Sequence, residues 1–384
     1  MFFRAKEVVA QVLIDLGVKI VTYVPGHGAS DVYDSYCEKI QKIPILSFHE
    51  ETAYSIAHGG SIVGHRTAVL MKAQGFMKAA NAVTDSQYAQ NCAGFVTFIF
   101  DDTIGSNSDN ILEINPILKG MYFPFKVVNV ETLYDDIIKA YLFSEQNKRP
   151  VAVIIDCKLI DKKVELKQNL NLKKQFKYER NILNSVVSPL FADYQYKIFK
   201  AKNNNIDIKT IDLPNIPIMP NGINEKYKAA ISKYIPFFDV FKQYKGDVVT
   251  GDTSTSSNFA LPPYNCIDIV THIGGSIPLA GGVYMAGYKN VWALTGDFGF
   301  ISAGHIGLLD IFNRQLPIKI VIFYNKEASA TGGQKIPKNL LKHLLAGYNN
   351  YILHISNPND PIELNKVISE ANNSDTIKII IVDF

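Results

Sequence analysis

The chain has 384 residues, 47% of them apolar and 20% charged, with a net charge of +3. That length gives room for two domains of ordinary size, and so small a charge gives no argument for nucleic acid or a membrane surface as partner. Apolar runs are too short for a membrane-spanning helix, and the amino terminus, MFFRAKEVVAQVLIDLG, reads as a charged amphipathic helix rather than a signal peptide. Cys37, Cys92, Cys157 and Cys266 are scattered, with no Cys-x-x-Cys pair. Neither a disulfide framework nor a zinc or iron–sulfur site is expected. A cytoplasmic, reduced protein fits.

Residues 1–160 alternate helical and strand patterns. Lys6–Leu16 reads as a helix, and Ile20–Val24, Ile43–Phe48, Thr67–Met71, Phe95–Phe100, Val127–Val130 and Val151–Asp156 read as strands. Pro25-Gly26-His27-Gly28 is a turn, with a helix beginning near Ser30. Residues 161–235 are rich in Lys and Asn, carry prolines between Pro189 and Pro220, and read as a linker. From 236 to 384 the rhythm returns, with strands near Val248–Thr250, Ile267–Thr271, Asn290–Thr295, Ile318–Tyr324 and Ile377–Asp383. The expected fold class is α/β, two domains each built on a mostly parallel, doubly wound sheet. Two such domains suggest an old duplication, although no sequence repeat is visible.

The most informative stretch is Val291–Gln334, VWALTGDFGFISAGHIGLLDIFNRQLPIKIVIFYNKEASATGGQ. It reads as strand, helix and strand, with Asp297 after the first strand, a helix starting near Ser302, and Asn325 after the second strand. Ligands of open α/β sheets bind at these strand ends. A carboxylate and an amide oxygen are hard ligands suited to Mg²⁺, and a helix amino end favours an anion. An ordinary strand-turn with a capping Asp has the same local pattern.

Gly296-Asp297, followed by Asn325 28 residues after the Asp, resembles the motif of thiamine diphosphate-dependent enzymes. That resemblance implies Mg²⁺ held on the cofactor's diphosphate by Asp297, Asn325 and the backbone of Glu327. Phe298 stands where the family often has Gly. In the first half, His49-Glu50 ahead of a helix with Ala53, Ala57 and Gly60 on one face resembles the family's pyrimidine-binding signature. It implies that Glu50, rather than Glu51, is the buried carboxyl that protonates the aminopyrimidine; an apolar setting suits such a proton shuttle. By themselves both residues also read as favourable charges in a first helical turn.

His27, in a turn resembling that of thiamine-dependent decarboxylases, is a candidate acid/base. Gln74 and Gly75 lie where a strand meets a helix, and Gly permits close backbone approach to a ligand. Gly275 and Ser276 either bring backbone to the cofactor at a helix start or allow tight packing. The resemblance thus implies catalytic Glu50 and His27, cofactor contacts at Gly296, Asp297, Phe298, Gly275, Ser276, Asp252, Thr253, Gln74, Gly75, Thr331 and Gly332, and metal ligands Asp297, Asn325 and Glu327.

Ala330-Thr331-Gly332-Gly333-Gln334, Val249-Thr250-Gly251-Asp252 with Leu261-Pro262-Pro263, and Asp101-Asp102 with Ser106, Asn107 and Ser108 resemble the large subunit of archaeal indolepyruvate ferredoxin oxidoreductase. This implies a 2-oxo acid substrate, decarboxylation through an enamine, and electron transfer to iron–sulfur clusters. Pro220-Asn221-Gly222-Ile223 replaces that subunit's Cys-Pro-Gly-Cys turn, and no cysteine-rich domain is read before Phe384. Thiolates hold such clusters, so a separate redox subunit or ferredoxin would be needed. The layout also resembles phosphonopyruvate and sulfopyruvate decarboxylases, which are non-oxidative. A non-catalytic thiamine diphosphate-binding scaffold is the third reading. In the family the two half-sites come from different chains, which implies at least a homodimer.

Overall fold

The computed structural model describes residues 2–166, 168–169, 172–223 and 225–384, with Lys226 as backbone only. The chain folds as two compact units, Met1–Glu179 and Arg180–Phe384. The stretch 161–235, expected as a linker, is divided between them.

In the first unit the elements run β1 (Phe2–Arg4), α1 (Ala5–Asp15), β2 (Ile20–Tyr23), α2 (Ala29–Ile40), α3 (Glu50–Ile62), β3 (Thr67–Lys72), α4 (Ala73–Lys78), α5 (Ala80–Ser86), β4 (Phe95–Asp101), α6 (Ile114–Gly120), β5 (Phe125–Val127), α7 (Leu133–Asn147), β6 (Val151–Asp156) and β7 (Lys163–Glu165). Five strands form a parallel sheet in the order β2-β3-β4-β6-β5, while β1 and β7 pair antiparallel in a two-stranded sheet of their own. Strand side chains alternate between two cores, as a sheet buried on both faces requires. Leu70, Phe98 and Val153 meet α1, α2 and α7 through Val8, Val32 and Ile137. Val69, Met71, Ile99 and Ile154 meet the opposite layer through Tyr54, Phe76, Val83 and Leu118.

The second unit runs α8 (Ile182–Ser185), α9 (Ala192–Asn203), α10 (Glu225–Phe241), β8 (Val248–Gly251), β9 (Ile269–Val270), α11 (Ser276–Ala286), β10 (Val291–Gly296), α12 (Asp297–Gly299), a π turn (Phe300–Gly304), α13 (His305–Asn313), β11 (Lys319–Tyr324), α14 (Leu340–Leu344), β12 (Ile352–Ile355), α15 (Pro361–Asn372) and β13 (Lys378–Asp383). Its six parallel strands are ordered β12-β13-β11-β10-β8-β9. α10 and α15 cover one face, where Phe237, Phe238 and Phe241 are completely buried against Trp292, Leu294 and Phe323. Truncating any one of these phenylalanines to Ala should cost about 3–5 kcal/mol. α11 and α13 pack together over the other face.

The expected strand Ile43–Phe48 does not form. Pro44 lacks an N–H for a ladder, Ile43 is 86% exposed, and a backbone bond runs from Ser47 N to Tyr23 O at 3.0 Å. That bond nevertheless lays the segment along the free edge of β2. Counting it as an edge strand, both sheets have the same order, with the second strand outermost beside the first. The equivalent strand β9 is itself only two residues long. The expected Val127–Val130 strand forms two residues earlier, as β5.

Both sheets therefore reverse direction at equivalent places, between β2 and β3 in the first unit and between β8 and β10 in the second. A reversal opens a crevice at the carboxyl ends of the flanking strands. The turns there are Pro25–Gly28 with Lys72–Gly75, and Asp252–Thr255 with Gly296–Phe298.

Candidate active site

In the second unit this crevice is an open cleft with about 560 Å³ of empty volume. Asp252, Thr253, Gly296, Asp297, Phe298, Asn325, Glu327 and Thr331 line it, so it gathers most of the sequence-predicted residues of that unit. Gly275, Ser276 and Gly332 are not among its lining.

Asp297 stands at the first helical position after β10 and is 1% exposed. Its Oδ1 accepts from Phe298 N at 2.8 Å and its Oδ2 from Lys326 N at 2.6 Å. Burial nevertheless pushes its pKa up to about 6, only partly offset by these amides. The helix begins here rather than near Ser302. Gly296 is its N-cap, and Gly296 and Gly299, poor helix formers, hide that start in the sequence. The π turn that follows brings Ala303 and Gly304 against Gly274: a Cβ there would stand 2.6 Å from that of Ala303, and Gly274 has φ +76. Side chains rarely adopt that backbone.

Asn325 directly follows β11 and organises the loop beyond it. Its amide nitrogen donates to Tyr234 Oη at 3.1 Å and Ser329 Oγ at 3.0 Å, and its Oδ1 accepts from Glu327 N at 3.1 Å. Burial raises the Tyr234 phenol to about 12. The loop closes as a small hairpin through Ala328 N to Gln334 O and Ile336 N to Lys326 O. Thr331 sits at its tip, and Gly332 and Gly333 take positive φ there. The Glu327 carbonyl accepts from Ser329 N, while its carboxylate turns to Lys335 at 2.7 Å, which holds its pKa below the usual range.

Asp252 follows β8 and is fully buried. Its Oδ1 accepts from Ser276 N at 2.9 Å and its Oδ2 from the Thr295 hydroxyl, tying together β8, the start of α11 and the end of β10. Desolvation raises its pKa. Gly275 is pressed against His272, where a Cβ would stand 2.6 Å from the ring. Thr253 donates its hydroxyl to Thr271 O.

The donor set fits a hard divalent cation. Asp297 and Asn325 share the cleft with Glu327, and burial leaves the Asp297 carboxylate in want of a compensating charge. A Cβ on Gly296 would meet no atom within 4 Å, so the backbone there faces open room. Among the described residues no cluster of three His, Cys, Asp or Glu side chains could hold a metal by itself. Asn and carbonyl donors fall outside that kind of cluster.

The first unit brings its own candidates to one end of its sheet. Glu50 is the first residue of α3, capped by His49, whose Nδ1 accepts from Glu51 N at 3.2 Å. Its side chain, 15% exposed, lies against Gly75 and 3.1 Å from Lys78 Nζ. Although that ammonium is close, the buried Glu50 Oε2 has no well-directed hydrogen bond. The ion pair is a charge contact only. Gln74 donates to Asn110 Oδ1 and O, 3.1 and 2.9 Å away. His27 is half-buried, 3.6 Å from Asp31, and Gly28 beside it needs φ +86.

Tyr234 and the hydroxyl run Ser254–Ser256 also line the cleft. The Thr/Ser-rich run directly after Gly251-Asp252 was the available signal for the second; Tyr234 lay inside the stretch read as linker.

Residues 250–372 match the family model of the thiamine pyrophosphate enzyme C-terminal TPP binding domain. No curated protein matches the chain. Among solved structures, a putative thiamin diphosphate-dependent enzyme from Mycobacterium smegmatis is 13% identical with a TM-score of 0.68, covering 99% of each chain. The thiamine diphosphate-dependent 4-hydroxybenzoylformate decarboxylase of Rhodococcus jostii RHA1 is 15% identical with a TM-score of 0.67, again over 99% of both chains. Benzoylformate decarboxylase from Polynucleobacter necessarius gives 12% and 0.65, over 100% of this chain and 99% of that one. The chain thus has, along its whole length, the two-unit α/β fold of thiamine diphosphate-dependent enzymes, and its residues 250–372 match their cofactor-binding domain.

Proposed function

We propose that the chain is a thiamine diphosphate- and Mg²⁺-dependent enzyme that decarboxylates a 2-oxo acid without net oxidation. The observation that carries the reading is the buried Asp297 at the reversal point of the second sheet, sharing one cleft with Asn325 and Glu327. Those two side chains and the Glu327 carbonyl would hold Mg²⁺ on the cofactor's diphosphate. The bound cofactor would supply an electron sink for the pair left behind as CO₂ departs. Glu50 would exchange the proton of the aminopyrimidine, and His27 would deliver a proton to the product carbon, leaving an aldehyde.

Two observations support the non-oxidative outcome. The four cysteines are free and lie apart, Cys157 and Cys266 with thiols raised to about 12 by burial. The solved relatives named for a reaction are decarboxylases. The second reading, catalytic subunit of an indolepyruvate-type 2-oxoacid oxidoreductase, is favoured by the Thr331-Gly332-Gly333-Gln334 hairpin tip and requires a separate redox subunit. We place either enzyme in the cytoplasm as a homodimer or larger; no helix among the described residues is long and apolar enough to cross a membrane.

Aldehyde release from aryl and branched 2-oxo acids, without an electron acceptor, tests the proposal. Aldehyde with CO₂ supports it. No aldehyde, with viologen reduction once a redox partner is added, overturns it in favour of the oxidoreductase.

A further inference from the structure

A 2-oxo acid brings a carboxylate that must be recognised, and every arginine of this chain is already engaged. Arg66 forms a buried pair with Glu145 at 2.6 Å, Arg180 pairs with Asp268 at 2.6 Å, and Arg314 with Asp310. Arg149 donates to Gln87 Oε1 and Tyr122 O, and Arg4 lies 3.2 Å from Asp161. The cation has to be sought among the lysines.

Lys72 is the last residue of β3, at the reversal point of the first sheet. Its ammonium donates to Asn107 O and to Ser108 Oγ, both neutral oxygens. Among the described residues it has no carboxylate within 4 Å, whereas Lys78 and Lys158 nearby have Glu50 and Asp156. An ammonium has three donors, and the described residues take two of Lys72's, which leaves one for a ligand. Lys319 shows the contrasting case: it is buried, and three carbonyls, those of Pro317, Ser374 and Thr376, fill its three donors.

The surroundings hold Lys72 in place. Asp102 Oδ2 accepts from Ser108 Oγ at 3.0 Å and from Asn107 N at 2.6 Å, and its Oδ1 accepts from Ser106 N at 3.1 Å. These bonds fold the loop that supplies both of Lys72's acceptors. On the other side the turn carrying His27 closes over the lysine stem: a Cβ on Gly26 would stand 2.8 Å from Lys72 Cγ. A part-buried, positioned ammonium with a donor to spare, on a stem packed against the turn that carries His27, is suited to a carboxylate.

We propose that Lys72 is the residue that binds the substrate's carboxylate, an inference that rests on the 2-oxo acid reading above. Pyruvate, 2-oxoisovalerate and benzoylformate, each with its neutral methyl ester, serve as probes. Binding is measured by calorimetry to protein loaded with thiamine diphosphate and Mg²⁺ in a Glu50→Gln background, which suppresses turnover. The expected result is that at least one acid binds more tightly than its ester, that Lys72→Gln weakens the acid by about ten- to hundredfold without changing the ester or the cofactor titration, and that Lys72→Arg restores part of the loss. A merely structural lysine would weaken acid and ester alike. The proposal is overturned if no acid is preferred over its ester, or if the preference survives in Lys72→Gln, while the cofactor still binds. Failure of the cofactor to bind would instead overturn the enzyme reading on which the proposal rests.

Discussion

Gly75 lies so close to Glu50 that a Cβ added to it would stand 2.7 Å from Glu50 Cγ and 3.0 Å from Oε1. Gly75 is a helical residue, so on propensity alone Gly75→Ala should stabilise by about 0.5–1 kcal/mol. Because the added methyl must push the Glu50 side chain aside, global stability should change by about 1 kcal/mol or less. Exchange of the thiazolium proton should nevertheless fall by at least about tenfold, roughly 1.4 kcal/mol of barrier. Denaturant unfolding and NMR-monitored deuterium exchange measure the two. Unchanged exchange would show that Glu50 does not act from this position.

Asp297 gives a pH signature with a definite sign. Its folded-state pKa, about 6, is raised above the unfolded value by burial. Its neutral form therefore contributes stability that is fully present below about pH 4 and is lost as pH rises through 6. Asp297→Asn, which stays neutral, should be as stable as wild type at pH 4 and more stable by up to about 3 kcal/mol at pH 8, both without cofactor. Comparing variant with wild type cancels the parallel contribution of Asp85, also raised to about 6 by burial. Urea unfolding at the two pH values checks this; equal stability at pH 8 would mean that burial does not penalise the carboxylate. Mg²⁺ binding by wild type should weaken below pH 6, where the proton competes.

Tyr234→Phe removes the hydroxyl that accepts from Asn325. A net loss of about 0.5–1.5 kcal/mol of stability is expected, with a few-fold weaker Mg²⁺-dependent cofactor binding because Asn325 loses one of the partners that orient it. Thermal unfolding and calorimetry measure these. Full retention of cofactor affinity would remove Tyr234 from the site.

The assembly prediction is simple to test. The two half-sites are expected to come from different chains, so light scattering should give at least a dimeric mass. A monomeric mass together with full cofactor binding would contradict it.

Much of this was legible because parallel strands are continuous apolar runs, with Asp297 and Asn325 at the ends of two of them. Val291–Gly296 and Lys319–Tyr324 formed within a residue or so of where they were read, and Asp297 and Asn325 emerged in one cleft. What failed did so for physical reasons. Ile43–Phe48 is the short apolar run of a strand, but Pro44 and an exposed edge deny it a ladder. The residues from 180 to 235 read as linker because Lys, Asn and Pro recur among them, yet Ile182, Leu183, Phe191, Ile231 and Tyr234 pack into the core of the second unit. The positive-φ turns and the π turn that shape the cleft leave no periodic trace.

The central claim is that Asp297 anchors a thiamine diphosphate–Mg²⁺ site served by Glu50. The most direct measurement is calorimetric titration of thiamine diphosphate with Mg²⁺ into wild type, Asp297→Ala and Glu50→Gln. Saturable binding by wild type, none by Asp297→Ala, and binding without thiazolium proton exchange by Glu50→Gln is the predicted result. No binding by wild type, or undiminished binding by Asp297→Ala, would contradict it.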